Sequence, residues 1–185
     1  MQAAEAHRLH VLDTTRFGRI EVPPDSVLEC PRGLIGFPGH RRFALLRRPH
    51  DYPLAWLQSL DDPELAFVVM DPRYFRPQYR PPVRAEVLQL LGASDEDDLE
   101  FLAFVVVPRQ PERMSANLRA PLVVCRQTRR AVQVILDDGC PYRVRHYVFD
   151  EMQALAQGGE CVAKEGETIH AGADSQGGRE HSGGG

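Results

Sequence analysis

Ala55-Trp56-Leu57-Gln58-Ser59-Leu60-Asp61-Asp62-Pro63-Glu64-Leu65-Ala66-Phe67-Val68-Val69-Met70-Asp71-Pro72 is the stretch that decides how this chain reads. Two apolar runs flank an acidic turn. Asp62 precedes Pro63, and clash with the proline ring pushes that residue out of the helical region. Proline also pre-sets φ for the first central position of a tight turn. Leu65 to Met70 is almost wholly apolar and carries β-branched Val68 and Val69, which suits a strand buried on both faces. Asp71-Pro72 ends it. The segment therefore reads strand, acidic turn, buried strand, turn.

Working outward, short apolar runs alternate with Pro, Gly and Asp. Strands are expected at Leu9–Leu12, Gly18–Val22, Val27–Glu29, Phe43–Arg47, Leu54–Leu60, Leu65–Met70, Leu99–Val107, Leu122–Arg126, Val132–Leu136 and Tyr142–Phe149. Many short strands with such gaps favour a barrel or sandwich over alternating βαβ units. Val83, Val87, Leu88, Leu90 and Leu91 fall near helical spacing before Gly92, so a helix is expected there, with a strand as the alternative. Asp137-Asp138-Gly139 suggests a hairpin from Ile135 to Tyr142.

Charge divides the chain near Asp150. Residues 1–150 hold 20 Arg, no Lys and 20 Asp plus Glu, a net charge of zero. Residues 151–185 hold 6 acidic and 2 basic residues, and so carry the whole imbalance of −4. That tail has no aromatic residue and 9 of the 15 glycines. It cannot bury enough apolar area to offset an ordering cost of about 1–2 kcal/mol per backbone residue. The expected organisation is one β domain over 1–150 and a disordered, Gly-rich acidic tail over 151–185, with a short helix possible across Glu151–Ala156. The tail's charge would assist encounter with a basic partner.

The four cysteines show no Cys-x-x-Cys pair or zinc-ligand spacing and read as reduced thiols. Arg8 and His10 interrupt any signal-like apolar run, and no apolar stretch reaches membrane-spanning length. The expectation is a soluble, cytoplasmic monomer without membrane contact, metal or cofactor.

Candidate sites are few. Gly33-Leu34-Ile35-Gly36-Phe37-Pro38-Gly39 lacks dinucleotide or P-loop spacing. Phe37 there is either a core plug or an exposed aromatic anchor for a partner. Asp61, Asp62 and Glu64 form either a solvated polar cap, with Asp62 bonding its own backbone, or an acidic edge facing a protein. The pairs Arg41-Arg42, Arg47-Arg48 and Arg129-Arg130 raise direct RNA binding as a second reading, but zero net charge argues against a dense basic face. A carboxylate-dependent hydrolase, with Asp61 or Asp62 beside His146, is a third. The seven histidines show no metal-ligand spacing.

The residues also carry a family likeness. Thr15, Phe17-Gly18 and Ile20-Glu21 open it. Gly33-Leu34-Ile35-Gly36-Phe37 and Arg42-Phe43-Ala44-Leu45-Leu46 follow, and Asp71-Pro72, Phe75 and Tyr79 come after the opening stretch. Asn117-Leu118-Arg119-Ala120-Pro121-Leu122-Val123-Val124, Gln133-Val134-Ile135-Leu136, Tyr142 and Arg145-His146 complete it. In this order, over residues 11–148, the chain resembles the bacterial flagellar assembly factor FliW family. Two departures stand out: Cys125 replaces the family's usual Asn, and nothing after about residue 150 matches. The resemblance implies a β-barrel-like fold, no enzymatic activity, and two protein partners, flagellin and the translational regulator CsrA. In that picture flagellin occupies the protein. Once flagellin is exported, the freed protein binds CsrA and relieves repression of flagellin translation.

Overall fold

The computed structural model describes residues 9–157. The chain enters through a hairpin of β1 (His10–Thr14) and β2 (Gly18–Val22). A second, larger antiparallel sheet takes β3 (Val27–Glu29), β4 (Arg42–Leu46), β5 (Leu54–Ser59), β6 (Ala66–Met70), β7 (Leu99–Val106), β8 (Ser115–Cys125), β9 (Ala131–Gln133) and β10 (His146–Tyr147). Two α-helices complete the described residues, α1 (Ala85–Leu91) and α2 (Val148–Ala156). Along the large sheet the order is β10-β8-β7-β6-β5-β4-β3, with β9 also pairing β8. The sheet curls into a half-barrel. Its two ends approach where the Glu29 N–H donates to the Arg129 carbonyl at 2.9 Å. The architecture is the expected mainly β, barrel-like one with two short helices.

The run that opened the sequence reading sits in the middle. β6 pairs β5 on one side and β7 on the other, so both its edges are hydrogen-bonded and its apolar residues meet core on both faces. Val69 and Met70 are buried. On one face Leu28, Phe43, Leu45, Leu57, Val69, Leu102 and Leu122 form the barrel interior. On the other, Met70, Phe75, Tyr79, Ala103, Leu118 and Val148 form a second cluster.

The helix expected before Gly92 is α1. Gly92 takes φ +64°, a left-handed conformation that closes the helix at little cost for glycine. Val87 and Leu91 are the face it buries, against Leu99, Val123, Cys125 and Val132. α2 begins three residues before the expected Glu151–Ala156 segment and crosses residue 150. The predicted disordered tail beyond it, residues 158–185, lies outside the described residues.

Three expected strands differ from the sequence reading: Leu122–Arg126, Val132–Leu136, of which β9 keeps only the start, and Tyr142–Phe149, which shrinks to β10 and gives way to α2 at Val148. The strand expected at Leu122–Arg126 begins at Ser115. Asn117 and Pro121 read as loop because they mark a bulge inside the strand: Leu102 pairs Leu122, while Phe104, two residues on, pairs Asn117. Proline has no N–H for a ladder, and a bulge removes that demand. The Asn117 carboxamide oxygen accepts the N–H groups of Arg119 and Ala120, each at 3.0 Å, and holds the bulge open. The Ile135–Tyr142 hairpin does not form as paired strands. β9 and β10 lie one after the other along the free edge of β8, which is long enough for both. Gly139 does sit in a turn, closed by the Cys140 N–H on the Asp137 carbonyl at 3.1 Å.

Candidate functional site

The acidic turn between β5 and β6 is built from its own side chains. The Ser59 hydroxyl oxygen accepts the N–H groups of Asp61 and Asp62 at 3.1 and 3.0 Å. Asp62 Oδ1 accepts the Glu64 N–H at 2.9 Å, the self-bonded turn its position before Pro63 predicts. Beneath them Gln58, fully buried, donates its amide to the carbonyls of Ser59 and Leu65 at 3.0 and 3.1 Å. The hairpin β1–β2 leans on the outside, where the Thr15 N–H meets the Pro63 carbonyl at 3.3 Å.

The Asp61 carboxylate also bonds to the chain itself. Its Oδ2 accepts the backbone N–H groups of Arg41 and Arg42 at 2.8 and 3.0 Å, and its Oδ1 takes the Arg42 guanidinium at 3.1 Å. Partial burial works to raise its pKa. The two backbone donors and the guanidinium outweigh that and hold the carboxyl below the usual carboxylate range. Asp61 is thus a tie between the turn and the start of β4. Asp61 and Glu64 are exposed, and Asp62 is half-buried. All three stand on the acidic face, with the Asp61 carboxylate engaged by Arg41 and Arg42.

Phe37 is half-buried. Its ring stands edge-on to Phe67 at 5.3 Å and packs on the barrel interior. The exposed apolar residue at this loop's tip is Ile35, 52% exposed, and its N–H is held by the Gln133 side chain at 2.9 Å. The loop needs glycine at position 33: with φ +65°, a Cβ there would lie 2.5 Å from the Phe37 carbonyl oxygen. Asp61 and Asp62 do not meet His146. The His146 ring instead bonds Glu151 of α2 at 2.5 Å and accepts the Arg143 N–H at 2.8 Å.

Sequence reasoning missed three members of this site. Arg41 and Arg42 lie twenty positions from the turn, and nothing local ties them to Asp61. Gln58 had a signal: it is the first polar residue after the apolar run Ala55–Leu57, inside the expected strand and before the turn begins.

A model of the FliW protein family matches residues 11–148. The chain belongs to the FliW family. It is 37% identical over 144 residues to the flagellar assembly factor FliW of Ruminiclostridium cellulolyticum, covering 77% of this chain and 97% of that protein. It is 36% identical over 141 residues to that of Thermotoga neapolitana, covering 76% and 94%. A crystal structure of the flagellar assembly factor FliW superposes with a TM-score of 0.70 at 28% identity, covering 76% of this chain and 97% of the other. No helix among the described residues is long and apolar enough to cross a membrane.

Within this FliW-family body, Cys125 closes β8 and is 1% exposed. Burial works to raise its thiol, and hydrogen bonds from Thr128 and the Gln127 N–H outweigh it, so the thiol titrates below its usual range.

Proposed function

We propose that this chain is a cytoplasmic flagellar assembly factor that performs no chemistry and works by binding two proteins in turn. One is flagellin, which it chaperones. The other is CsrA, whose repression of flagellin translation it relieves. The observation that carries this reading is the family match, which runs through the whole β body and spans 97% of a relative's length.

The turn supports a protein-binding role. Its hydrogen bonds fix the backbone in one shape, so little ordering entropy is lost when a partner docks. In this reading Glu64, Asp62 and the exposed Asp61 face the partner, Asp61 also fixing the turn, while half-buried Phe37 supports the surface. The arginine pairs weigh against direct RNA binding: Arg42 is committed to Asp61 and Arg47 to Glu100.

Calorimetric titration of the full chain with purified flagellin, and separately with CsrA, tests this. Saturable heats are expected in both cases. Absence of binding to either protein would overturn the proposal.

A further inference from the structure

An open groove of about 1250 Å³ crosses the outer face of β5, β6 and β7. That exceeds the roughly 300–1,000 Å³ of pockets that enclose small molecules. The register explains its floor. Trp56 pairs Val68, and Val68 pairs Val105, so the three side chains stand in a row on one face. Further along the same face, Met70, Phe75, Tyr79 and Val148 already form a covered layer. Toward the groove this cover ends: Val105 is still buried, but Val107, two residues on and lining the groove, is 50% exposed. An apolar sheet face is stable when a second layer covers it.

The rim is basic. Arg16, Arg109, Arg113 and Arg145 line the groove against a single acidic residue, Asp51. None of the four arginines is ion-paired among the described residues, and Asp51 is held by the Trp56 indole N–H at 3.2 Å. Arg16 lies over the Trp56 ring, 4.7 Å from its centre. None of Asp61, Asp62 and Glu64 lines the groove.

We infer that this groove docks an amphipathic helix of a partner protein whose apolar side chains lie on Trp56, Val68 and Val107 and whose flanking carboxylates meet Arg16, Arg109, Arg113 and Arg145. The inference deepens the protein-binding reading and rests on it. The apolar floor selects large side chains, and the rim selects carboxylates over amines. The chain's own residues 158–185 offer no Phe, Leu or Met for that floor, which makes them the poorer occupant.

Trp56 is the only tryptophan, so its emission reports on the groove alone. The test titrates the full chain at low salt with two helical peptides of about 18 residues. Both carry the same Leu and Phe face, one with Glu and the other with Lys on the remaining positions. The Glu peptide should shift Trp56 emission and bind at least about tenfold more tightly than the Lys peptide. Arg109→Glu with Arg145→Glu should erase that preference while leaving the melting temperature unchanged. Equal binding of the two peptides, no emission change with either, or a preference that survives the double variant would overturn the inference. So would an emission change on raising the chain's own concentration that blocks the Glu peptide, since the occupant would then be a second copy. A chain that binds flagellin or CsrA yet ignores the Glu peptide keeps the proposed function and loses only the groove.

Discussion

The Tyr79 hydroxyl donates to the Leu118 carbonyl at 2.8 Å, joining the cluster around Phe75 to the bulge of β8. Both residues are fully buried, and burial pushes the Tyr79 phenol well above its ordinary range. The bulge frees this carbonyl from the ladder, and Tyr79 satisfies it. Tyr79→Phe keeps the ring and removes the donor. The expected loss is about 1–2 kcal/mol in urea unfolding, because a buried carbonyl is left unmatched. An unchanged midpoint would mean that water reaches the bulge.

Asp61 should make the fold acid-sensitive. Its folded pKa lies below its unfolded one, so the stability it contributes is fully present above the unfolded value, about 3.9. That stability is lost as pH falls through the folded value. Asp61→Asn should flatten the stability profile below about pH 4. At neutral pH, Asp61→Ala should cost about 0.5–1 kcal/mol, since the exposed N–H groups of Arg41 and Arg42 exchange the carboxylate for water. Equal acid profiles for wild type and Asp61→Asn would remove Asp61 as the tie.

Glu64 separates binding from folding. Its side chain is exposed and Asp61 already anchors the turn, so Glu64→Arg should leave the melting temperature within about 1 °C. If the acidic face meets a partner, association of that partner should slow by about tenfold at low salt. Unchanged kinetics with both flagellin and CsrA would leave the turn purely structural.

The acidic tail is tested by cutting after Gln157, because Glu151 of α2 is bonded to His146 and belongs to the body. Residues 158–185 carry 5 acidic and 2 basic residues, net −3. Their removal should slow CsrA association several-fold at about 50 mM salt and have little effect at about 0.5 M, where the screening length falls below about 5 Å. Identical rates at both salt concentrations would rule out electrostatic steering by the tail.

What was legible in the sequence had local causes. β6 is an apolar run bounded by Asp62-Pro63 and Asp71-Pro72, and its composition alone demanded a central place. α1 announced itself by spacing and by Gly92. The first half of β8 was hidden, because Asn117 and Pro121 carry turn chemistry whether they end a strand or bulge it. β9 and β10 depend on how much free edge β8 offers, which no local pattern encodes. The same holds for function. The self-bonded turn at Asp62 follows from the residue before Pro63, whereas the tie from Asp61 to Arg41 and the groove at Trp56 join segments far apart in the chain.

The central claim is that the chain exchanges flagellin for CsrA. The most direct measurement is cell-free translation of a reporter behind a flagellin leader, repressed by added CsrA. Adding this chain should restore translation, and adding excess flagellin should repress it again. Repression that persists in the presence of the chain would contradict the account.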